Sequence, residues 1–312
     1  MYPISDHCTG NRFFNPGSEQ AKGLLDVLRW KLTSHPGRRR APPQARSAVV
    51  SPREVSESEC LVTFVNHSTV LIQFAGHNIL TDPIWSNRAS PVSWLGPRRL
   101  APPGIRFEDL PRIDTVLLSH NHYDHLDLPT LRRILAEHHA RFVVPLGVCR
   151  LLTSNGIQSA TEMDWWETSG AITCLPAKHF SARGLTDRNR TLWCSYWIAT
   201  PLGSIYFGAD TAFGPHFTAI RNRLGSPRLA LLPIGAYKPE WFMSPVHMSP
   251  DQAAEAHYIL NPERSLAIHW GTFQLGDDGP DEPVVELQRA LKRRSGLPPF
   301  EAVRNGTVLH LN

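Results

Sequence analysis

Three histidines and an aspartate crowd into six residues, His120 to His125, of the stretch Ser119-His120-Asn121-His122-Tyr123-Asp124-His125-Leu126-Asp127. Imidazole nitrogen and carboxylate oxygen together suit a borderline cation such as Zn²⁺. One loop cannot aim all four groups of an H-x-H-x-D-H run at a single tetrahedral ion, so the pattern points to two adjacent metal ions. The rival reading is a polar loop that happens to be rich in His, on a chain with 15 histidines. The stretch follows an apolar run, residues 113–118, of the kind that forms a buried strand. It precedes a helical stripe of Leu131, Ile134, Leu135 and His138, with Asp127 placed as N-cap. The motif therefore falls on a strand-to-helix loop, where functional groups concentrate.

Other residues fit around this loop less decisively. Asp82 stands after a strand-like segment and before Pro83, rigid enough to orient another group or simply to cap a turn. His67 could face the same site or serve as a structural histidine. His247 lies just ahead of a helix cap, off any apolar face, and could reach a substrate. His257 sits on the apolar face of that helix and reads as core. Residues 88–107 interleave Trp94 and Leu95 with Arg98 and Arg99 among prolines. Such a loop suits a lipid groove, or it packs over a sheet edge.

The H-x-H-x-D-H pattern resembles the signature of the metallo-β-lactamase superfamily. Four further stretches narrow the resemblance: Leu80-Thr81-Asp82-Pro83-Ile84-Trp85, Phe207-Gly208-Ala209-Asp210-Thr211, Pro233-Ile234-Gly235-Ala236-Tyr237 and Ala267-Ile268-His269-Trp270-Gly271-Thr272-Phe273. With the motif, they look like the N-acyl-phosphatidylethanolamine-hydrolysing phospholipase D branch, in matching order over roughly residues 55–275. The resemblance implies an α/β fold, the αββα sandwich of two mixed β-sheets flanked by helices. It implies that His120, His122 and His179 bind one zinc ion, that Asp124, His125 and His269 bind a second, and that Asp210 bridges them. Asp82 would orient ligands from behind, and Asp124 and Asp210 would be the catalytic carboxylates. Other divalent transition metals would also suit the donors.

The activity implied is attack of a metal-bound hydroxide on a phosphodiester, releasing an N-acylethanolamine and phosphatidate from N-acyl-phosphatidylethanolamine. A lactonase similar to the ascorbate-6-phosphate lactonases is the alternative on the same fold. A non-catalytic metal- or lipid-binding protein is the alternative from another class. Candidate substrate contacts are His247, Trp94, Arg98, Tyr123 and His67. The expected partner is a phospholipid or other small phosphodiester, with peripheral membrane contact allowed and no nucleic acid. The oligomeric state stays open, a homodimer included.

Around the motif, strand-like and helical segments alternate, and every candidate ligand ends or follows a strand. Strands are expected over 61–65, 70–74, 79–81, 142–145, 171–176, 193–199, 204–208, 229–233 and 266–268. Ser249-Pro250-Asp251-Gln252 opens a helix with a capping box. A last helix, 284–294, stops before Gly296, and residues 303–311 turn at Asn305-Gly306. Residues 1–54 read as an N-terminal arm, an amphipathic helix and a basic Pro-rich linker, and 55–312 as the hydrolase domain. In the helix, residues 19–34, Ala21, Leu24, Leu25, Leu28 and Leu32 share one face and Trp30 lies opposite. Its apolar face would dock on the domain or rest in a lipid interface. Arg38-Arg39-Arg40 in the linker is either solvated or suited to anionic headgroups.

At 41% hydrophobic and 19% charged, the chain has the composition of a soluble globular protein. A net charge of +4 permits anionic lipid or phosphate without demanding a nucleic acid. The absence of a glycine-rich phosphate loop argues against nucleotide-dependent phosphoryl transfer. Five scattered cysteines read as reduced thiols. With no signal-like or membrane-spanning run, a cytoplasmic enzyme, peripheral to a membrane at most, is the expectation.

Overall fold

The computed structural model describes residues 1–17, 22–37, 55–56 and 58–311. Arg38-Arg39-Arg40, the linker through Pro52 and the expected first turn of the N-terminal helix lie outside them.

The first six strands, β1 (Cys60–Asn66), β2 (Thr69–Phe74), β3 (His77–Thr81), β4 (Thr115–Leu117), β5 (Arg141–Pro145) and β6 (Ala160–Met163), belong to one sheet. The next seven form the other: β7 (Thr168–Ser169), β8 (Ile172–Leu175), β9 (Ser195–Thr200), β10 (Gly203–Phe207), β11 (Leu229–Pro233), β12 (Arg264–Ile268) and β13 (Phe300–Glu301). The closing strand, β14 (Val308–Leu311), returns to the first sheet beside β1. Each sheet is mixed: β3 to β6 pair in parallel, as do β10 to β13, and the remaining neighbours are antiparallel. Parallel strands covered on both faces lose the in-out alternation, which is why segments such as Leu229–Pro233 are apolar throughout and fully buried.

The sheets face each other across one core, with Phe64, Ile72 and Leu117 on one side and Tyr196, Phe207 and Leu231 on the other. Helices α2 (Leu128–His138) and α3 (Val148–Thr153) cover the outside of the first sheet, burying Leu131, Ile134 and Leu152 against Leu80, Val116 and Phe142. On the second sheet, α4 (His216–Leu224), α6 (Pro250–Leu260) and α7 (Glu282–Lys292) bury Phe217, Ala253, Leu260 and Leu287 against Tyr206 and Leu232. The short α5 (Glu240–Met243) lies before α6. This is the expected αββα sandwich.

Two elements depart from expectation. The Asn305-Gly306 turn does not close a hairpin. The chain before it pairs with β12 in one sheet and the chain after it with β1 in the other, so the turn carries the chain across the sandwich. The N-terminal helix, α1 (Leu24–Thr33), does dock, but with the face opposite its leucines. Trp30 stacks on Phe242 at 4.9 Å and donates to Asp277, while Leu25, Leu28 and Leu32 stay 83%, 57% and 78% exposed. An indole that has both an aromatic partner and a carboxylate acceptor gains more from contact than a row of leucines facing a polar surface.

Candidate metal centre

Five strands, β3, β4, β8, β10 and β12, run toward the same edge of the sandwich, and the residues just beyond their C-terminal ends are Asp82, the H-x-H-x-D-H loop, His179, Asp210 and His269. There the side chains converge into two donor sets. In one, His122 Nδ1 lies 2.9 Å from His120 Nε2 and 3.2 Å from His179 Nε2. In the other, Asp124 Oδ2 lies 3.2 Å from His125 Nε2 and 3.4 Å from His269 Nε2. Asp210 sits between them, with Oδ2 3.2 Å from His125 Nε2 and 3.7 Å from His179 Nε2, and Oδ1 3.1 Å from His269 Nε2. Metal–nitrogen bonds of about 2.0–2.1 Å put neighbouring atoms of a tetrahedral site roughly 3.3 Å apart. His125 Nε2 and Asp210 Oδ1 are buried without a hydrogen bond, a costly state unless a cation meets them. The residues present fit metal ions.

The rings are aimed from behind. Asp82, fully buried, accepts from His125 Nδ1 at 2.7 Å and from Ser119 Oγ at 2.6 Å. Ser119 Oγ in turn accepts from His120 Nδ1 at 2.8 Å. His179 Nδ1 donates to the Val246 carbonyl at 2.8 Å. These bonds fix the tautomers that leave all three Nε2 lone pairs turned to the cluster. His67 Nε2 donates to Asp124 Oδ2 at 2.9 Å, so His67 belongs to this cluster. Asp127 occupies the N-cap position of α2, but its carboxylate accepts from Ser86 and the Thr130 hydroxyl instead of the helix amides.

Charge follows burial and neighbours. Burial, with nearby imidazoles, lowers His120 well below its usual value and His122 and His67 to about 3. Burial opposes charge on His125 and His269 too, but Asp210 and Asp124 outweigh it, raising His125 well above its ordinary value and His269 to about 9. Burial likewise disfavours Asp124 and Asp210 as anions, and the same histidines overcome it and hold both carboxyls far down.

A cavity of about 320 Å³ opens over the centre. His122, Asp124, Asp210 and His247 face it, with His247 Nδ1 4.0 Å from Asp210. Its apolar wall is Val27 and Trp30 of α1 with Phe180, Phe242, Met243 and Leu275, and Lys22 and Arg188 add positive charge. Trp94, 73% exposed, and Arg98 do not line it. Tyr123 turns to another hollow, where its hydroxyl donates to the Arg183 carbonyl and the Arg183 guanidinium covers its ring. The loop's buried cation is instead Arg99, which donates to Asn66 and the Ile84 carbonyl and is pushed down to about 10 by burial. The sequence left open whether α1 docks near this chemistry and gave no sign of Phe242; the one visible signal for the wall they form was an indole on the polar side of an amphipathic helix. The five cysteines are free and stand apart from the cluster.

The family description "beta-lactamase superfamily domain" matches residues 77–270. The chain is 40% identical over 236 residues to N-acyl-phosphatidylethanolamine-hydrolyzing phospholipase D 1 of Caenorhabditis elegans, covering 71% of this chain and 66% of that protein. It is 36% identical over 253 residues to the mitochondrial N-acyl-phosphatidylethanolamine-hydrolyzing phospholipase D of Saccharomyces cerevisiae, covering 76% and 54%. The chain thus spans between about half and two thirds of these relatives. Among solved structures, a metallo hydrolase of the archaeon Ignicoccus hospitalis shares the fold, with TM-score 0.61, 22% identity and coverage of 82% of this chain and 99% of the other.

Proposed function

Since this chain belongs to the β-lactamase superfamily and is a hydrolase of its metal-dependent fold, we propose that it is a dinuclear zinc phosphodiesterase that cleaves N-acyl-phosphatidylethanolamine into an N-acylethanolamine and phosphatidate. His120, His122 and His179 would hold one ion, Asp124, His125 and His269 the other, with Asp210 shared. When bound, two such ions supply a nucleophile from water at neutral pH and countercharge for a phosphoryl group.

The observation that carries the substrate is the cavity: one apolar wall and two cations over a carboxylate-imidazole floor. A phosphate would sit by Lys22 and Arg188 over the centre, and an acyl chain would run along Val27, Trp30, Phe242 and Leu275, all of which line the cavity. At about 320 Å³ it lies at the low end of the ~300–1,000 Å³ typical of ligand pockets. An N-acylated phospholipid with three chains cannot enter whole, so its remaining chains stay in a lipid surface. The outward leucines of α1, beside Arg29 and Lys31, suit that surface. No described helix is long and apolar enough to cross a membrane.

In the reaction, Asp124, aimed by His67, orients the attacking water and accepts its proton. The proton that Asp124 takes up passes on to the departing alkoxide, and His247, kept neutral by burial and with Nδ1 4.0 Å from Asp210, lines the same cavity as a hydrogen-bonding group for the phosphoryl oxygens. The test loads purified protein with zinc, counts ions, and compares N-acyl-phosphatidylethanolamine in mixed micelles with sugar lactones. About two ions per chain and phosphodiester cleavage are expected. Lactone opening without phosphodiester cleavage would transfer the chain to the lactonases.

A further inference from the structure

The first 17 residues are anchored where an arm would hang free. Phe13 and Cys8 are buried against Ala177, Leu192 and Trp193, and Phe13 N–H donates to the Asn189 carbonyl at 2.8 Å. His7 stacks on Trp165 and bonds Asp164 at 2.8 Å. Two residues past Phe13, the side chain of Asn15 meets the backbone of His179. Its Nδ2 donates to the His179 carbonyl at 2.7 Å, and its Oδ1 accepts from the His179 N–H at 3.3 Å and from the Trp193 indole at 3.0 Å.

We propose that Asn15 is a positioning residue for the metal centre: its amide pairs with both polar groups of the His179 peptide and so fixes where that imidazole points. This rests on the reading that His179 holds a metal ion. His179 follows β8 in a loop, so no strand partner satisfies its N–H and C=O. Asn15 replaces that partner, as a neighbouring strand would, with one donor and one acceptor in the right order. The ring itself is held at Nδ1 by the Val246 carbonyl. With the peptide held by Asn15 as well, Nε2 is fixed at both ends of the residue. Supporting contacts behind ligands typically matter 10–100-fold for metal affinity. A segment far from the H-x-H-x-D-H loop in sequence is thereby part of the metal centre.

The experiment measures zinc affinity by chelator competition, the Co²⁺ absorption spectrum and thermal stability for the full chain and four variants. Asn15→Ala should weaken the first zinc site about 10–100-fold and alter the Co²⁺ spectrum. Asn15→Asp is isosteric and keeps the acceptor for Trp193 but loses the donor to the His179 carbonyl, so it should show the same loss in a folded protein. His7→Ala loosens the arm elsewhere and should lower the melting temperature with zinc affinity unchanged. Wild-type zinc binding in both Asn15 variants would overturn the proposal, as would an equal loss in His7→Ala. His179→Ala separates the premise: if it too binds zinc normally, the ligand assignment fails; if it alone loses zinc, only the positioning role fails.

Discussion

At the scale of single residues, the centre depends on groups that never touch a substrate. Asp82 is fully buried and serves two ligands at once, His125 directly and His120 through Ser119. Asp82→Asn keeps the shape but turns an amide N–H toward a donor, so metal affinity should fall about 10–100-fold while the circular dichroism spectrum is retained. Unchanged affinity would reduce Asp82 to a packing role. The two donor sets also differ in protonation. His120 and His122 are depressed, so they are neutral at pH 7 and offer lone pairs without proton loss. His125 and His269 are raised, His269 to about 9, so in the metal-free chain at pH 7 they carry protons that an ion must displace. Below about pH 9, displacing the His269 proton alone lowers apparent affinity about tenfold per pH unit, and the raised His125 acts in the same direction. On acidification from pH 7 the ion at Asp124, His125 and His269 should therefore leave first, seen as stepwise loss in site-resolved anomalous scattering. Simultaneous loss, or the reverse order, would contradict this.

At the scale of elements, the centre is assembled by loops whose backbones approach too closely for side chains. Gly235, after β11, is such a place: a methyl added there would lie 2.1 Å from the His269 carbonyl oxygen. His269 is itself in the left-handed region at φ 59°, tied by its N–H to the His67 carbonyl. Gly235→Ala must push this turn aside. Overpacking of this kind costs about 1–3 kcal/mol, so a lower melting temperature and reduced occupancy of the second metal site are expected together. A stability loss with both sites fully loaded would show that the turn yields elsewhere.

At the scale of the molecule, α1 joins the cavity to the outside. Its Trp30 and Val27 line the cavity while Leu25, Leu28 and Leu32 face away from the protein. Replacing the three leucines with serine removes exposed apolar surface, and surface changes usually stay within about ±0.5 kcal/mol. Stability should be unaffected, cleavage of N-acyl-phosphatidylethanolamine in vesicles should drop several-fold, and cleavage of soluble glycerophospho-N-acylethanolamine should be unchanged. Equal effects on both substrates would place the leucines in the fold and not at a lipid surface.

Local chemistry made much of this protein legible from its residues alone. The H-x-H-x-D-H loop, the apolar strands and the Ser249–Gln252 capping box all depend on neighbours in the chain, and the structure has each of them. His257, read as core from its helical face, is buried between Ser265 and the Pro298 carbonyl. The resemblance supplied His179, Asp210 and His269, since a lone histidine after a strand carries little signal, and the structure brings all three to one point. Tertiary packing decided the rest. α4 went unseen because its stripe is short and starts behind Gly214 and Pro215; only the sheet beneath Phe217 and Ile220 explains it. Trp94, Arg98 and Tyr123 have suitable chemistry, but their loops turn them from the cavity, a matter of backbone path that composition does not encode. The docking face of α1 depended on Phe242 and Asp277, more than two hundred residues away. Asn15 is an ordinary polar residue until the His179 peptide, left without a strand partner, is set against it.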